Sequence, residues 1–300
     1  MKMSLGSLSA IVTMRQIFKL MRVHQWVKNF FIFSPAFFGG KIFAPWVLFN
    51  LAIALTSFSL MASCVYIIND YIDIPRDRLH PEKCKRPLAS GAISKQQARI
   101  ALLILFAIAL TLGMYLPAFA LVTILGYFGM NLLYSFKLKH IAIIDVSIIA
   151  IGFLLRVALG GIAADVPISH WLIMLTFLLA MLLGLAKRRD EYLIYLEGAN
   201  TRKSIEGYNL QFIDVSMMLA SSVTVVTYIM YTVSEEVIER IGNENVYLTT
   251  IFPILGIMRY LQQTLVFTKT GSPTKILLSD RFIQLVIVLW LFCFGILLYS

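Results

Sequence analysis

Asn69, Asp70, Asp73 and Asp77 stand where a long apolar run, residues 47–68, gives way to charge. On a helix, positions 69, 73 and 77 share one face, and position 70 lies within about 100° of them. Three carboxylates and a carboxamide on one short arc repel one another unless a cation neutralises them. Mg²⁺ suits the task, since it takes hard oxygens, keeps waters and shares its shell with substrate phosphates. The segment that follows, His80-Pro81-Glu82-Lys83-Cys84-Lys85-Arg86-Pro87, is rich in cations that suit the rest of a polyphosphate. Pro75 has no N–H and biases Ile74 away from a helix, so a loop is the other route by which Asp77 reaches the site. On a soluble surface helix such carboxylates are usually just solvated. Here they cap a stretch long enough to span a bilayer, where charge is costly and tends to be functional.

The elements that must position these residues are membrane helices. The 300 residues are 59% hydrophobic and 14% charged, with mean hydropathy +0.81, whereas a soluble domain carries about 25% charge. Nine candidate spans recur, near 26–43, 47–70, 97–116, 118–136, 141–163, 170–187, 213–233, 246–267 and 281–299. The first is interrupted by Pro35 and Gly39-Gly40. Residues 1–22 read as a basic amphipathic helix on the membrane surface, without the features of a removable signal peptide. The remainder, 23–300, reads as one transmembrane domain. The net charge of +10 does not indicate nucleic acid, because the basic residues sit in short loops between apolar runs. Lys and Arg fall mainly before the first span, in 71–99, at Lys137 and Lys139, in 187–203 and in 269–281. With nine alternating helices these all lie on one side, which the positive-inside rule makes cytoplasmic. The N-terminus and the charged loops near 71–96 and 187–212 then share that side, two charged rims at one expected cytoplasmic mouth. Cys64, Cys84 and Cys293 have no metal-type spacing.

Other residues carry chemistry less distinctly. Lys187-Arg188 ends the sixth span, with Glu191 one turn beyond Lys187. As snorkelling anchors they need no further role. As a phosphate seat, a basic rim fits an anion that needs no metal, such as a monophosphate. Arg156 lies well inside the fifth span and must face protein, water or a ligand; Asp145 lies one turn inside its start. For both, structural pairing and substrate binding stand level. Gly152, Gly160 and Gly161 point to close helix packing. Trp26 reads as an interfacial belt residue, Lys28 and Asn29 are within possible reach of the phosphate, and Asp280 reads as a helix cap.

Taken together these motifs resemble the UbiA superfamily of intramembrane prenyltransferases, whose hallmark is Asn-Asp-x-x-Asp-x-x-x-Asp on the second of nine helices. Within it the chain is most similar to the decaprenyl-phosphate phosphoribosyltransferase branch. The likeness runs through His24-Gln25-Trp26-Val27-Lys28-Asn29, Asn69–Asp77 with His80-Pro81 and Arg86-Pro87, Tyr134 and Leu138-Lys139-His140. It continues through Gly152-Phe153, Arg156, Lys187-Arg188 with Glu191, Arg202-Lys203-Ser204 with Glu206 and Tyr208, and Arg259-Tyr260. Lys137, Arg189 and Asp190 match no position of that pattern. The basic end of the sixth helix replaces the second Asp-rich motif of aromatic prenyltransferases.

The resemblance implies an all-α polytopic bundle around a cavity open to the cytoplasmic side of the inner (plasma) membrane. It implies transfer of 5-phosphoribose from 5-phosphoribosyl 1-diphosphate (PRPP) to a polyprenyl phosphate, towards decaprenylphosphoryl arabinose and cell-wall arabinan. Mg²⁺ would sit on Asn69, Asp73 and Asp77, with Asp70 among the catalytic group. Lys28, Lys83, Arg86, Tyr134, Lys139, Arg156, Lys187, Arg188 and Glu191 would bind substrate. The bilayer is the implied partner, nucleic acid is not, and homo-oligomer formation stays open. Two alternatives remain: a prenyl diphosphate donor with an aromatic acceptor such as 4-hydroxybenzoate, and a transporter whose intramembrane charges line a pathway.

Overall fold

The structure, a computed structural model, describes residues 14–79, 82–198, 203–267 and 273–299. His80-Pro81, Arg202 and the first part of the N-terminal segment, among the residues singled out above, lie outside them. The described residues are helical, with no strand. Seven helices are long and apolar enough to cross a membrane. They are α1 (Pro45–Ile72), α2 (Lys95–Met114), α3 (Ala118–Phe136), α4 (Ile144–Ala164), α5 (His170–Leu196), α6 (Leu210–Val233) and α7 (Arg281–Tyr299). Large apolar side chains such as Leu103, Phe119 and Phe292 are exposed on them. That pattern belongs to a multi-pass protein whose solvent is lipid.

Local chemistry sets the helix ends. Pro45 occupies the first turn of α1, where its missing N–H is no loss. Ser94 and Gln97 form a reciprocal capping box at the start of α2. Ser169 and Asn209 cap α5 and α6 through their side-chain oxygens. Asp280 caps α7 as expected, its carboxylate accepting from the Ile283 N–H at 2.9 Å.

Two of the nine expected spans are helical without forming one long helix. Over 26–43 the chain makes a 3₁₀ segment, Val23–Phe33, then a short helix, Ser34–Phe38. Gly39-Gly40 ends it, with Gly40 at φ +71°, a conformation that favours glycine. Over 246–267 a 3₁₀ segment, Glu244–Thr250, leads into Ile251–Leu265. Residues 14–21 are helical, with Met14 and Phe18 exposed and Leu20 fully buried.

The chain packs as two compact units. The first comprises Met1–Ala36, Lys41–Ser135 and Leu155–Val166; the second comprises Phe37–Gly40, Phe136–Leu154 and Pro167–Ser300. In the first, α1 packs along α2 over a core that includes Leu51, Phe58, Met61, Ile124 and Leu159. A Cβ on Gly160 would stand 1.9 Å from the Ile32 carbonyl oxygen, so the expected close packing at this glycine is real. Leu20, Ile67, Ile74, Leu88, Ile93 and Ala98 form a smaller cluster beneath the loop that follows α1. In the second unit, α5 packs along α6 around Leu182, Ile205, Ile213 and Met217.

Candidate active site

In the first unit, the polar end of α1 runs into a second, shorter helix. Asp73 is the hinge: its N–H donates to the Asn69 carbonyl at 2.9 Å, and the Asp77 N–H donates to the Asp73 carbonyl at 2.8 Å. Four-residue spacing therefore survives the break. Asp77 does not come from a loop, because Pro75 sits in the first turn of helix Ile74–Arg78, where proline is tolerated. Asn69 and Asp73 are half-buried, while Asp70 and Asp77 are buried.

Two guanidinium groups supply the cations these acids need. Arg22 forms an ion pair with Asp70 and lies over the Tyr66 ring at 5.0 Å. Arg86 Nη1 bridges Asp70 Oδ1 at 3.1 Å and Asp77 Oδ2 at 2.7 Å. Asp70 is thus engaged by two arginines and Asp77 by one. Arg86, expected on phosphate, holds these two acids in the structure. Arg22 escaped the sequence reading because its position depends on a turn: it adopts a left-handed backbone at φ 52°, between helix 14–21 and Val23–Phe33. Arg78 Nε donates to the Ala89 carbonyl at 3.2 Å, fastening the loop that carries Arg86. Lys83 is exposed on that loop.

The remaining donors fit a magnesium–diphosphate. No cluster of three or more His, Cys, Asp or Glu poised around a metal occurs among the described residues. Asn69, Asp73 and Asp77 offer two carboxylates and an amide. Mg²⁺ commonly uses just one or two carboxylates and completes its shell with water and substrate phosphate oxygens.

Arg156 also belongs to the first unit. Its guanidinium is buried over Phe58 and Tyr127, at 4.8 and 5.2 Å from the ring centroids. Its Nε donates to Asn29 Oδ1 at 2.7 Å, and Asn29 Nδ2 donates to Ser59 Oγ at 2.8 Å. Trp26, read as a belt residue, donates its indole N–H to Ser63 at 3.1 Å. The Trp-Val-Lys-Asn stretch is therefore bolted to α1 by its first and last members. Lys28 is half-buried between them and feels the charges of Arg156 and Arg22. Tyr134 is half-buried near the end of α3.

In the second unit, Lys139 is half-buried in the turn Leu138–His140. Lys187 is exposed within α5, which does not end there as expected but continues to Leu196, so the segment read as a loop from 187 begins as helix. Arg188, beside it, is fully buried. It pairs with Glu191 and approaches Asp145, Nε to Oδ2, at 3.4 Å. Asp145 thus takes the structural alternative left open by the sequence. The Tyr208 hydroxyl donates to Asp145 Oδ1 at 2.7 Å; burial and then this contact hold it well above the usual tyrosine range. Arg189 pairs with Asp214 at 2.7 Å and donates to the Thr264 carbonyl at 3.0 Å. Both Asp190 carboxylate oxygens and the Tyr260 hydroxyl are buried without a hydrogen-bond partner among the described residues.

Comparison with known proteins agrees with this architecture. The UbiA prenyltransferase family matches residues 30–192. The chain is 30% identical over 294 residues to the decaprenyl-phosphate phosphoribosyltransferase of Mycolicibacterium smegmatis, covering 94% of this chain and 92% of that protein. It is 31% identical over 287 residues to the Mycobacterium tuberculosis (strain H37Rv) protein of the same name, covering 93% of each. A UbiA homolog from Archaeoglobus fulgidus, solved with DMAPP and Mg²⁺, superposes with a TM-score of 0.70 at 19% identity, over 95% of this chain and 99% of that one. Acid-tipped α1, the seven long apolar helices and these likenesses lead to one conclusion: the chain belongs to the UbiA prenyltransferase family and is a multi-pass membrane transferase.

Proposed function

We propose that this enzyme transfers 5-phosphoribose from PRPP to a polyprenyl phosphate of the decaprenyl type, releasing diphosphate. The observation that supports this most is the extent of the likeness to the two phosphoribosyltransferases. It covers 93–94% of the chain, including the basic stretch of α5 where Lys187 and Arg188 stand. The product would serve decaprenylphosphoryl arabinose and cell-wall arabinan. The active-site mouth would face the cytoplasmic side of the inner membrane.

Asn69, Asp73 and Asp77 would hold Mg²⁺. Bound there, the ion would neutralise the donor diphosphate and favour its departure. Arg86 can release Asp77 and turn its N–H groups to the diphosphate oxygens, with Lys83 and Lys28 spreading the remaining charge. As the C1–O bond to diphosphate breaks, the ribose becomes oxocarbenium-like, and a phosphate oxygen of the lipid forms the new C1–O bond. That phosphate is largely dianionic near pH 7, its second pKa being about 6, so it attacks without a general base. None of the site residues above is a histidine, which accords with such a step. Lys187, exposed on α5, and Lys139 are the cations we assign to the acceptor phosphate, and Tyr134 and Arg156 complete the substrate-binding set. The polyprenyl tail stays in lipid.

Purified enzyme given PRPP, Mg²⁺ and a polyprenyl phosphate should yield a lipid-soluble pentose phosphate. Parallel incubation with a prenyl diphosphate and 4-hydroxybenzoate tests the aromatic alternative; product there alone would overturn the assignment.

A further inference from the structure

Arg188 has the features of a strut, not of a ligand contact. Its side chain has 0% exposure, as has that of Asp145. It pairs with two carboxylates, Asp145 and Glu191, and has no exposed surface to offer an incoming phosphate. Asp145 is in turn fixed from elsewhere in the chain. Ser204 Oγ donates to its Oδ2 at 3.1 Å, and the Tyr208 hydroxyl donates to its Oδ1 at 2.7 Å. The same Tyr208 oxygen accepts the Ile143 N–H at 2.7 Å. Ile143, a β-branched residue, is held in the left-handed region at φ 68°, which persists only where surroundings over-determine it. Contact here is tight: a Cβ on Gly207 would come within 2.7 Å of the Ala142 Cβ. The turn before α4, the Arg188–Glu191 turn of α5 and segment Lys203–Tyr208 are thereby locked together inside the second unit.

We infer that Asp145 is a positioning residue, held by Ser204 and Tyr208, and that Arg188 transmits its placement to Glu191 and to the stretch of α5 that presents Lys187. Consecutive helix positions point about 100° apart. Anchoring Arg188 inward therefore fixes the direction in which Lys187 points. The buried pair is not tuned for stability alone, since Arg188 Nη2 has no hydrogen-bond partner among the described residues, and an unsatisfied buried donor is expensive. The functional consequence, which rests on the reading proposed above, is control of affinity for the acceptor phosphate, separate from donor and metal binding.

A double-mutant cycle tests it, with farnesyl phosphate as acceptor probe, PRPP as donor, and direct farnesyl phosphate binding followed by tryptophan fluorescence. Asp145→Asn and Arg188→Gln should each raise KM and Kd for farnesyl phosphate by about tenfold, leaving KM for PRPP and the Mg²⁺ requirement unchanged. In the double variant, where no Arg188 is left to relay Asp145, the loss should stay near tenfold and not reach the roughly hundredfold of two independent effects. An Asp145→Asn variant that binds farnesyl phosphate as tightly as the native enzyme, its guanidinium still present, would mean that the guanidinium touches the phosphate, and would overturn the assignment. Tyr208→Phe keeps both charges and should raise the acceptor KM by about threefold; equal losses for donor and acceptor would mark a merely structural role and also overturn it. If either single variant fails to fold, Tyr208→Phe and the double variant decide the matter. Should native protein bind farnesyl phosphate yet form no product, the proposed reaction fails while the binding cycle still decides the positioning.

Discussion

The two units each hold arginine–carboxylate clusters, built differently. In the first, Arg22 and Arg86 keep 24% and 28% of their side-chain surface as they neutralise Asp70 and Asp77. In the second, Arg188 and Asp145 have none. A guanidinium that keeps about a quarter of its surface can trade a carboxylate for a phosphate, since water reaches its charge during the exchange. A sealed pair cannot trade, and breaking it by removing one partner costs about 3–5 kcal/mol. The same residue types thus yield an exchangeable site in one unit and a fixed joint in the other.

That contrast can be broken by mutation. The largest effect is expected at the exchangeable site. Asp77→Asn should lower the transfer rate at least about 10³-fold, because the negative charge facing the diphosphate-bound metal is lost, while the thermal midpoint stays near native. A collapse in stability instead would place Asp77 with the fixed joint. Next comes Asp145→Asn, which strands the Arg188 charge and should destabilise by about 3–5 kcal/mol, seen as an earlier unfolding transition in detergent; an unchanged midpoint would remove the contrast. Arg86→Ala should cost about 10–100-fold in kcat/KM for PRPP but less stability than Asp145→Asn, because Arg22 still neutralises Asp70.

The smallest effect sharpens the comparison by pH. Burial and Asp145 raise the Tyr208 pKa above its ordinary value. A raised pKa means the contribution is complete below the unfolded value, about 10, and declines as pH climbs beyond it. Tyr208→Phe should therefore lower stability by about 1 kcal/mol, with the same difference at pH 6 and pH 9. A difference that vanished by pH 9 would contradict the assignment.

The site's first half was largely legible from residue spacing. Asn69, Asp73 and Asp77 keep their four-residue register because helical hydrogen bonds resume directly across Asp73. Helices α1 to α7 were legible as apolar runs, and Gly160 as a packing glycine. Long-range pairing was not. Arg156 was read as a cation in need of a partner, yet its partner is Asn29, distant in sequence, with two aromatic faces. Nor does spacing reveal that Asp145 meets Arg188, or that a left-handed residue turns Arg22 back onto Asp70. The interrupted segments at 26–43 and 246–267 show the same limit: average apolarity marks them as membrane-length, while Gly39-Gly40 and the 3₁₀ geometry divide them.

The decisive measurement is one incubation of purified enzyme with ribose-labelled PRPP, a polyprenyl phosphate and Mg²⁺, with and without EDTA. Label passing into the lipid phase, lost with EDTA and with Asp77→Asn alike, is the expected result. Label remaining in water while a prenyl diphosphate supports prenylation of 4-hydroxybenzoate would contradict the phosphoribosyl assignment.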